Sequence, residues 1–251
     1  MGIIIGSITC IMCIVTYSRI CKRNQDVPIK GKKALSPVLL GMAAPLLATL
    51  LVLGLSLVVI QMNGGNVENV QPIIKLPLAL RSFVRSFILA GFTEEAIKCG
   101  LLCAAIAIIK PKSVYEYGAA GAGVGLGFTL VEDILYGQSS GITTIIRIPT
   151  FALHMVFGII MGTYIGKAKA AKRDDIPGKG YMWKAMIIPV LWHTVYDAAL
   201  ATNAAFDSEN DVIVLAGIII ALLVTIISVI MQFKVLKKFA KSSEECSQIP
   251  V

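Results

Sequence analysis

Runs of about twenty apolar residues, separated by short polar linkers, constrain the fold of this chain more than any other feature. A helix of that length crosses a hydrocarbon layer roughly 30 Å thick, and in lipid the backbone polar groups must be satisfied within the helix itself. The sequence therefore predicts an all-α, polytopic transmembrane bundle of about seven spans. The predicted spans are residues 2–18, 36–61, 88–109, 117–136, 147–166, 185–203 and 212–233.

The linkers between these runs are too short to bury a hydrophobic core of their own. We therefore predict one integral membrane domain over residues 1–251, with its core at about 35–235. The first run has no basic residue before it and basic residues after it, which favours an uncleaved first span over a signal peptide. Residues 76–87 carry two arginines among apolar residues, a pattern typical of a helix lying in the membrane interface.

Lysine and arginine residues alternate between rich and poor linkers along the chain. The linkers after the first, third and fifth spans and the C-terminal tail are basic, whereas the second, fourth and sixth linkers are nearly free of basic residues until the next span approaches. The positive-inside rule then predicts an outside N-terminus and an inside C-terminus in the cell membrane. The net charge of +8 thus indicates a lipid bilayer partner and no nucleic acid.

The six cysteines do not indicate a disulfide framework, because none lies in a linker predicted to be outside. Cys99 and Cys103, one helical turn apart, are interpreted as small packing residues. The span 117–136 opens with G-A-A-G-A-G-V-G-L-G. Small residues at four-residue spacing predict close approach between helix backbones in a bilayer.

Ionisable residues inside membrane spans are costly and tend to mark functional sites. The third span contains F-T-E-E-A-I-K, in which Glu94 and Lys98 share one helix face and are expected to pair. Glu95 points about 100° away from Glu94. Two adjacent carboxylates in a medium of low dielectric constant cannot both be ionised cheaply, which favours a general acid or base here.

The fourth and fifth spans add further charged residues. Glu132 is the deeper acid of F-T-L-V-E-D-I-L-Y, and Asp133 is expected to reach the outer interface. Arg147, at the outer end of the fifth span, is interpreted as a snorkelling residue.

Both histidines of the chain lie within predicted spans. His154 is placed about two turns into the fifth span, and His193 lies in L-W-H-T-V-Y-D of the sixth. Asp197 follows His193 by one helical turn, so its carboxylate is expected to orient the imidazole.

These polar residues lie at similar depths in the predicted topology. At a rise of about 1.5 Å per residue, Glu94, Glu132, His154, His193 and Asp197 lie roughly 6 to 15 Å from the outer ends of their spans. Because four helices place polar residues in one layer, we predict a single shared site.

Two histidines and several carboxylates are suited to activating water. In one version, zinc is held by His154, His193 and Glu132, with Glu94 or Glu95 as the general base. In the other version, a glutamate deprotonates water without a metal and the imidazoles stabilise the oxyanion. The residues leave both versions open. Covalent acyl transfer is disfavoured, since no serine or cysteine is an obvious nucleophile partner for either histidine.

The order E-E-A-I-K, F-T-L-V-E, fifth-span histidine and H-T-V-Y-D on four helices resembles the PrsW family of intramembrane proteases. That family is a distant branch of the superfamily that contains the type II CAAX prenyl proteases and a gamma-secretase scaffold subunit. The resemblance covers roughly residues 35–235. Where the CAAX proteases have an arginine after the glutamate pair and a histidine in the second motif, this chain has Lys98 and Glu132, which favours PrsW.

The resemblance implies that Glu94 and Glu95 carry the paired-glutamate motif, that His193 and Asp197 carry the last motif, and that His154 is the extra histidine of this branch. It also implies cleavage of a membrane-anchored protein substrate, an anti-sigma factor or a similar regulator, in a signalling cascade. Two other functions stay open from the sequence: a non-catalytic membrane scaffold and a proton-coupled transporter. The lack of an internal sequence repeat disfavours the transporter.

Overall fold

The fold is known from a computed structural model, which describes residues 2–23, 29–62, 77–136, 145–201 and 211–247. Helices form almost all of this described part, in agreement with the predicted all-α membrane bundle. The helices are α1 Gly2–Arg23, α2 Lys32–Met62, α3 Leu78–Ser86, α4 Thr93–Ile109, α5 Val114–Tyr136, α6 Leu153–Arg173, α7 Lys179–Ala201 and α8 Asp211–Ser247. A π-helical segment, Phe87–Phe92, joins α3 directly to α4.

Among the described residues, four helical segments have the length and hydropathy needed to cross a membrane. They are Gly2–Arg23, Lys32–Met62, Val114–Leu135 and Val212–Lys241. Residues on the long apolar helices α2 and α8 are largely exposed, as expected for surfaces that face lipid rather than protein.

The third and fifth spans differ from their predicted boundaries. Residues 78–109 form one continuous helical stretch, so the predicted interfacial segment 76–87, of which residue 76 lies outside the described residues, continues from Leu78 into the third span without a break. Residues 147–152 form turns, and α6 begins only at Leu153. Pro149 accounts for this delay, because proline lacks an N–H and disfavours a helical conformation in the residue before it. His154 therefore lies in the first turn of its helix rather than two turns in.

The glycine-rich helix α5 lies at the centre of the bundle and packs against α1, α2 and α6. A Cβ atom on Gly121 would lie 1.8 Å from the carbonyl oxygen of Gly158, and one on Gly125 would lie 2.2 Å from that of His154. These distances leave no space for a side chain, so backbone contact between α5 and α6 requires glycine here. The predicted close approach is confirmed, and it fixes the start of α6 beside α5.

The start of α5 is held by local side-chain hydrogen bonds. The Ser113 hydroxyl accepts the Glu116 N–H at 3.3 Å, and the Glu116 carboxylate accepts the Lys112 N–H at 2.9 Å. These bonds satisfy backbone donors that have no partner within the helix, in the manner of a capping box. Glu116 also pairs with Lys33 at the start of α2 at 3.0 Å.

The five cysteines whose side chains are described are free thiols, and the sequence likewise did not indicate a disulfide framework. Cys246 lies where side chains are not described.

Long-range contacts gather the basic ends of the helices at one end of the bundle. Tyr115 at the start of α5 donates a hydrogen bond to the carbonyl of Ile20 near the end of α1, at 2.8 Å. The Tyr115 ring also stacks on Phe239 near the end of α8, with ring centroids 4.7 Å apart. This arrangement is compatible with the predicted alternation of basic and non-basic linkers, while the orientation in the membrane stays a prediction.

We expect tags at the two termini to report opposite sides of the membrane, with the N-terminal tag outside. The physical reason is the alternation of basic linkers over an odd number of spans. The measurement is accessibility of each tag to a protease in intact and permeabilised cells. Detection of both tags on one side would contradict the predicted number of spans.

Candidate active site

The paired glutamates lie at the start of α4, immediately after the π-helical segment. π-Helical segments are rare in proteins, and those that do occur are often found at functional sites. Gly91 in this segment packs on α7 so closely that an added Cβ would lie 2.0 Å from the Thr194 hydroxyl. The contact brings the first turn of α4, with Glu94 and Glu95, directly against the helix that carries His193.

Glu95 and Lys98 form the buried centre of the site. The Lys98 ammonium lies 2.8 Å from Glu95 Oε1, and neither side chain is more than 2% exposed. Lys98 also approaches Glu94 Oε2 at 3.4 Å, which confirms the predicted pair, and donates a hydrogen bond to Nδ1 of His154 at 3.1 Å. The ammonium lies 3.5 Å from the centre of the Phe128 ring, a favourable position for a cation.

His193 on α7 faces both glutamates. Its Nδ1 lies 2.7 Å from Glu95 Oε1, and its Nε2 lies 3.9 Å from Glu94 Oε2. Asp197, one turn later on α7, approaches Nε2 at 3.4 Å, so the predicted contact from its own helix is present. The 2.7 Å contact from Glu95 is shorter, and Glu95 is therefore the stronger constraint on this imidazole.

His154 is held between two helices. Its Nε2 lies 2.8 Å from Glu132 Oε2 on α5, opposite the Lys98 contact at Nδ1. Phe128 packs against this imidazole, with ring centroids 4.5 Å apart. The rings of His154 and His193 lie edge to face with centroids 5.2 Å apart, so the two imidazoles are direct neighbours.

Arg147 and Asp133 have roles that differ from the sequence interpretation. Arg147 does not simply snorkel: its guanidinium lies 2.6 Å from Glu132 Oε2 and 2.5 Å from Asp133 Oδ1. Asp133 does not simply reach the interface either: it is 2% exposed and accepts a hydrogen bond from the Thr9 hydroxyl of α1. A buried carboxylate needs such partners because water does not solvate it.

Four of the predicted site residues form a group that is able to hold a metal ion. The donor atoms of Glu94, Glu95, His154 and His193 lie within 4.8 Å of one another. Two imidazoles with carboxylates are a donor set that zinc accepts. Glu95 Oε2 is buried and has no hydrogen-bond partner among the described residues, which leaves a carboxylate oxygen for an added cation. The residues therefore fit a divalent metal, with the Lys98 ammonium already beside three of them.

Glu132, predicted as a metal ligand, lies outside this group of four. Its carboxylate oxygen already accepts from Arg147 and His154, which suits a residue that orients a ligand rather than one that binds the metal.

Sequence reasoning missed the central place of Lys98 and the burial of Arg147 and Asp133. The spacing of Lys98 from Glu95 by three residues was available as a signal for their contact. The contact of Thr9 with Asp133 joins positions 124 residues apart, and no local pattern predicts it.

Comparison with known proteins places these residues in a family. The sequence model described as PrsW family intramembrane metalloprotease matches residues 37–232. The chain is 32% identical to the Protease PrsW of Halalkalibacterium halodurans over 120 residues, which cover 47% of this chain and 54% of that protein. For Geobacillus kaustophilus the identity is 38% over 97 residues, covering 38% of this chain and 42% of the relative. No solved structure gives a significant match.

A third Protease PrsW, from Bacillus subtilis, is 31% identical over 122 residues, covering 47% of this chain and 55% of that protein. The chain thus matches about half the length of these curated relatives. The family match is broader, since it covers most of the chain and includes both glutamates and both histidines. The resemblance drawn from the motifs and the predicted membrane location are therefore confirmed, and the chain belongs to the PrsW family of intramembrane metalloproteases.

Proposed function

We propose that this chain hydrolyses a peptide bond of a membrane-anchored protein within or next to the bilayer. The observation that carries the proposal is the group of Glu94, Glu95, His154 and His193, whose donor atoms lie within 4.8 Å of one another on three helices. Clusters of ionisable residues are expensive inside a membrane protein and persist where they serve a function. The names of the family and of its curated relatives support a protease.

We assign different roles to the two glutamates on the basis of their contacts. Glu95 is fully buried and is held by both Lys98 and His193, so it orients the site. Glu94 is 18% exposed, and its contacts with Lys98 and His193 are longer, at 3.4 and 3.9 Å. A general base must reach water and exchange a proton, and the less constrained Glu94 suits that role better.

The reaction then requires one water molecule and the peptide. Glu94 takes a proton from the water molecule while the water oxygen attacks the scissile carbonyl carbon. The π electrons of the carbonyl bond then move onto the carbonyl oxygen. The positive charge of Lys98 and an imidazole N–H stabilise the resulting oxyanion. Collapse of this intermediate breaks the C–N bond, and Glu94 returns the proton to the leaving amine.

His154, His193 and the two glutamates would hold a metal ion in this site. Such an ion, with zinc the best fit to imidazole and carboxylate donors, would polarise the carbonyl and lower the pKa of bound water. Glu132 keeps the Nε2 side of His154 occupied, so Nδ1 is the nitrogen that faces the other donors. A metal-free version in which Glu94 acts alone on water uses the same residues.

The family resemblance and the location of the site support the choice of a substrate class. We propose an anti-sigma factor or a similar membrane-anchored regulator, cut in the outer half of the bilayer. A membrane anchor would deliver the peptide to a site formed entirely by helices of a membrane bundle.

The proposal is tested with purified protein in liposomes that contain a membrane-anchored reporter peptide. We expect the wild type to cleave the peptide. His193→Ala should lower the cleavage rate by more than the 10- to 100-fold typical of losing a residue that only orients a metal ligand. Asp174→Asn should keep the wild-type cleavage rate. Asp174 is a suitable control because it pairs with its neighbour Arg173 at an exposed helix end.

Metal content per chain, measured on the same preparations, separates the two versions of the chemistry. Bound metal that is lost together with activity on chelation, and regained with it, supports the metal version. If the wild type cleaves no peptide and requires a partner protein for stability, the scaffold is favoured. If it cleaves no peptide and conducts ions, the transporter is favoured.

A further inference from the structure

Arg147 lies in the turns before α6 and bridges two carboxylates of α5. Its Nη2 atom is 2.6 Å from Glu132 Oε2, and its Nε atom is 2.5 Å from Asp133 Oδ1. Adjacent residues on a helix point about 100° apart, so a single ammonium group would not reach both carboxylates as a planar guanidinium does. Arg147 therefore fixes Glu132 and Asp133 relative to each other.

The Glu132 carboxylate transmits this constraint to His154. The same oxygen, Oε2, contacts Arg147 and His154 Nε2, the latter at 2.8 Å. An ionised carboxylate only accepts hydrogen bonds. His154 must therefore carry its proton on Nε2, which leaves the lone pair of Nδ1 facing Lys98 at 3.1 Å and the glutamate pair.

The series of contacts from His154 through Glu132, Arg147 and Asp133 ends at Thr9 on α1. The Thr9 hydroxyl contacts Asp133 Oδ2 and lies 2.9 Å from the carbonyl of Gly6 on its own helix. An added Cβ on Gly6 would lie 2.9 Å from the Asp133 carbonyl oxygen, so α1 packs directly on this part of α5. Residues 2–23 lie outside the range 37–232 that matches the family.

We propose that Arg147 is a positioning residue that fixes the tautomer of His154, and that α1 anchors it through Thr9 and Asp133. The inference rests on the proposed function, because it assigns Nδ1 of His154 to face the reacting groups. It adds a role for α1, which the family match does not include.

The chain contains only two histidines, so selective 15N labelling of histidine gives ring-nitrogen signals, Nδ1 and Nε2, from only two imidazoles. His193→Gln assigns them. In the wild type we expect His154 to be protonated at Nε2. In Arg147→Met we expect the His154 Nε2–H signal to shift or disappear while the His193 signals remain, because Glu132 loses the charge that holds it in place.

The kinetic expectation is a loss of kcat of about 10- to 100-fold in Arg147→Met, with KM unchanged, as for a residue that orients a ligand. Arg147→Lys should fall between the wild type and Arg147→Met, because lysine keeps the charge without the two-pronged contact. Arg173→Met is the control, since Arg173 pairs with Asp174 at an exposed helix end. An unchanged His154 signal and unchanged kcat in Arg147→Met would overturn the proposal.

Thr9→Val tests the contribution of α1, with Thr16→Val as the matched control. Thr16 donates to the carbonyl of Met12 on its own helix, whereas Thr9 reaches α5. We expect Thr9→Val to change the His154 signal in the same direction as Arg147→Met and to lower kcat a few-fold, and Thr16→Val to do neither. Equal behaviour of the two variants would remove α1 from the proposal.

The NMR measurement needs no turnover, so it separates this inference from the proposed function. A wild type that cleaves no substrate but shows the expected signals would leave the positioning role of Arg147 intact and remove the protease.

Discussion

Glu94→Gln is expected to abolish peptide hydrolysis while the helical bundle stays folded. The amide is nearly isosteric with the carboxylate but cannot take a proton from water, so a loss of about 10²- to 10⁴-fold in kcat follows from its role as general base. Glu94 is the less buried member of the pair, and its contact with Lys98 is 3.4 Å, so its charge contributes little to holding the helices together. The measurements are the cleavage rate and the melting temperature in detergent.

Glu116→Gln is the matched control for this substitution. Glu116 is also a glutamate in the first turn of a helix, but it caps α5 at the opposite end of the bundle and pairs with Lys33. We expect Glu116→Gln to lower the melting temperature and to leave hydrolysis unchanged, the reverse of Glu94→Gln. Full activity in Glu94→Gln would remove this residue as the base and transfer the role to Glu95.

The helical fold and the gathering of the polar residues were predictable because both depend on local patterns. Apolar runs fix helices in a membrane, and the depth of a residue follows from counting along its helix. Glu94, His154 and His193 could therefore be assigned to one layer without any knowledge of which helices touch. The glycine spacing in α5 likewise predicted a close helix contact, now located between Gly121 and Gly158.

The partners within the site were less predictable because they depend on helix rotation and on linkers. Arg147 was expected to snorkel, because it stands at the outer end of its predicted span. The turns at 147–152 bring it beside Glu132 and Asp133 instead. The group of four residues that is able to hold a metal ion includes both glutamates of α4 and omits Glu132, whose Oε2 atom contacts Arg147 and His154.

Lys98→Met is expected to lower both the stability of the protein and its rate of hydrolysis. Among the described residues, the groups that contact Glu94 and Glu95 and can carry a positive charge are Lys98 and His193. Methionine keeps the length and most of the packing on Phe128 but removes the charge. Removing one partner of a buried ion pair typically costs about 3–5 kcal/mol, since the remaining charge is left without solvent or a partner. We therefore expect a clear fall in melting temperature, together with loss of cleavage.

The control for this prediction is Lys33→Met, which removes an ion pair with Glu116 at a position where the lysine is 32% exposed. Exposed pairs contribute about 0–1 kcal/mol, so Lys33→Met should melt close to the wild type and keep its activity. Added zinc should raise the melting temperature of Lys98→Met more than that of the wild type, because the metal then compensates carboxylates that the ammonium no longer neutralises. A Lys98→Met protein that melts like the wild type would show that the buried carboxylates do not depend on this lysine. The charge balance assigned to the site, and with it the stabilisation of the oxyanion by Lys98, would then be wrong.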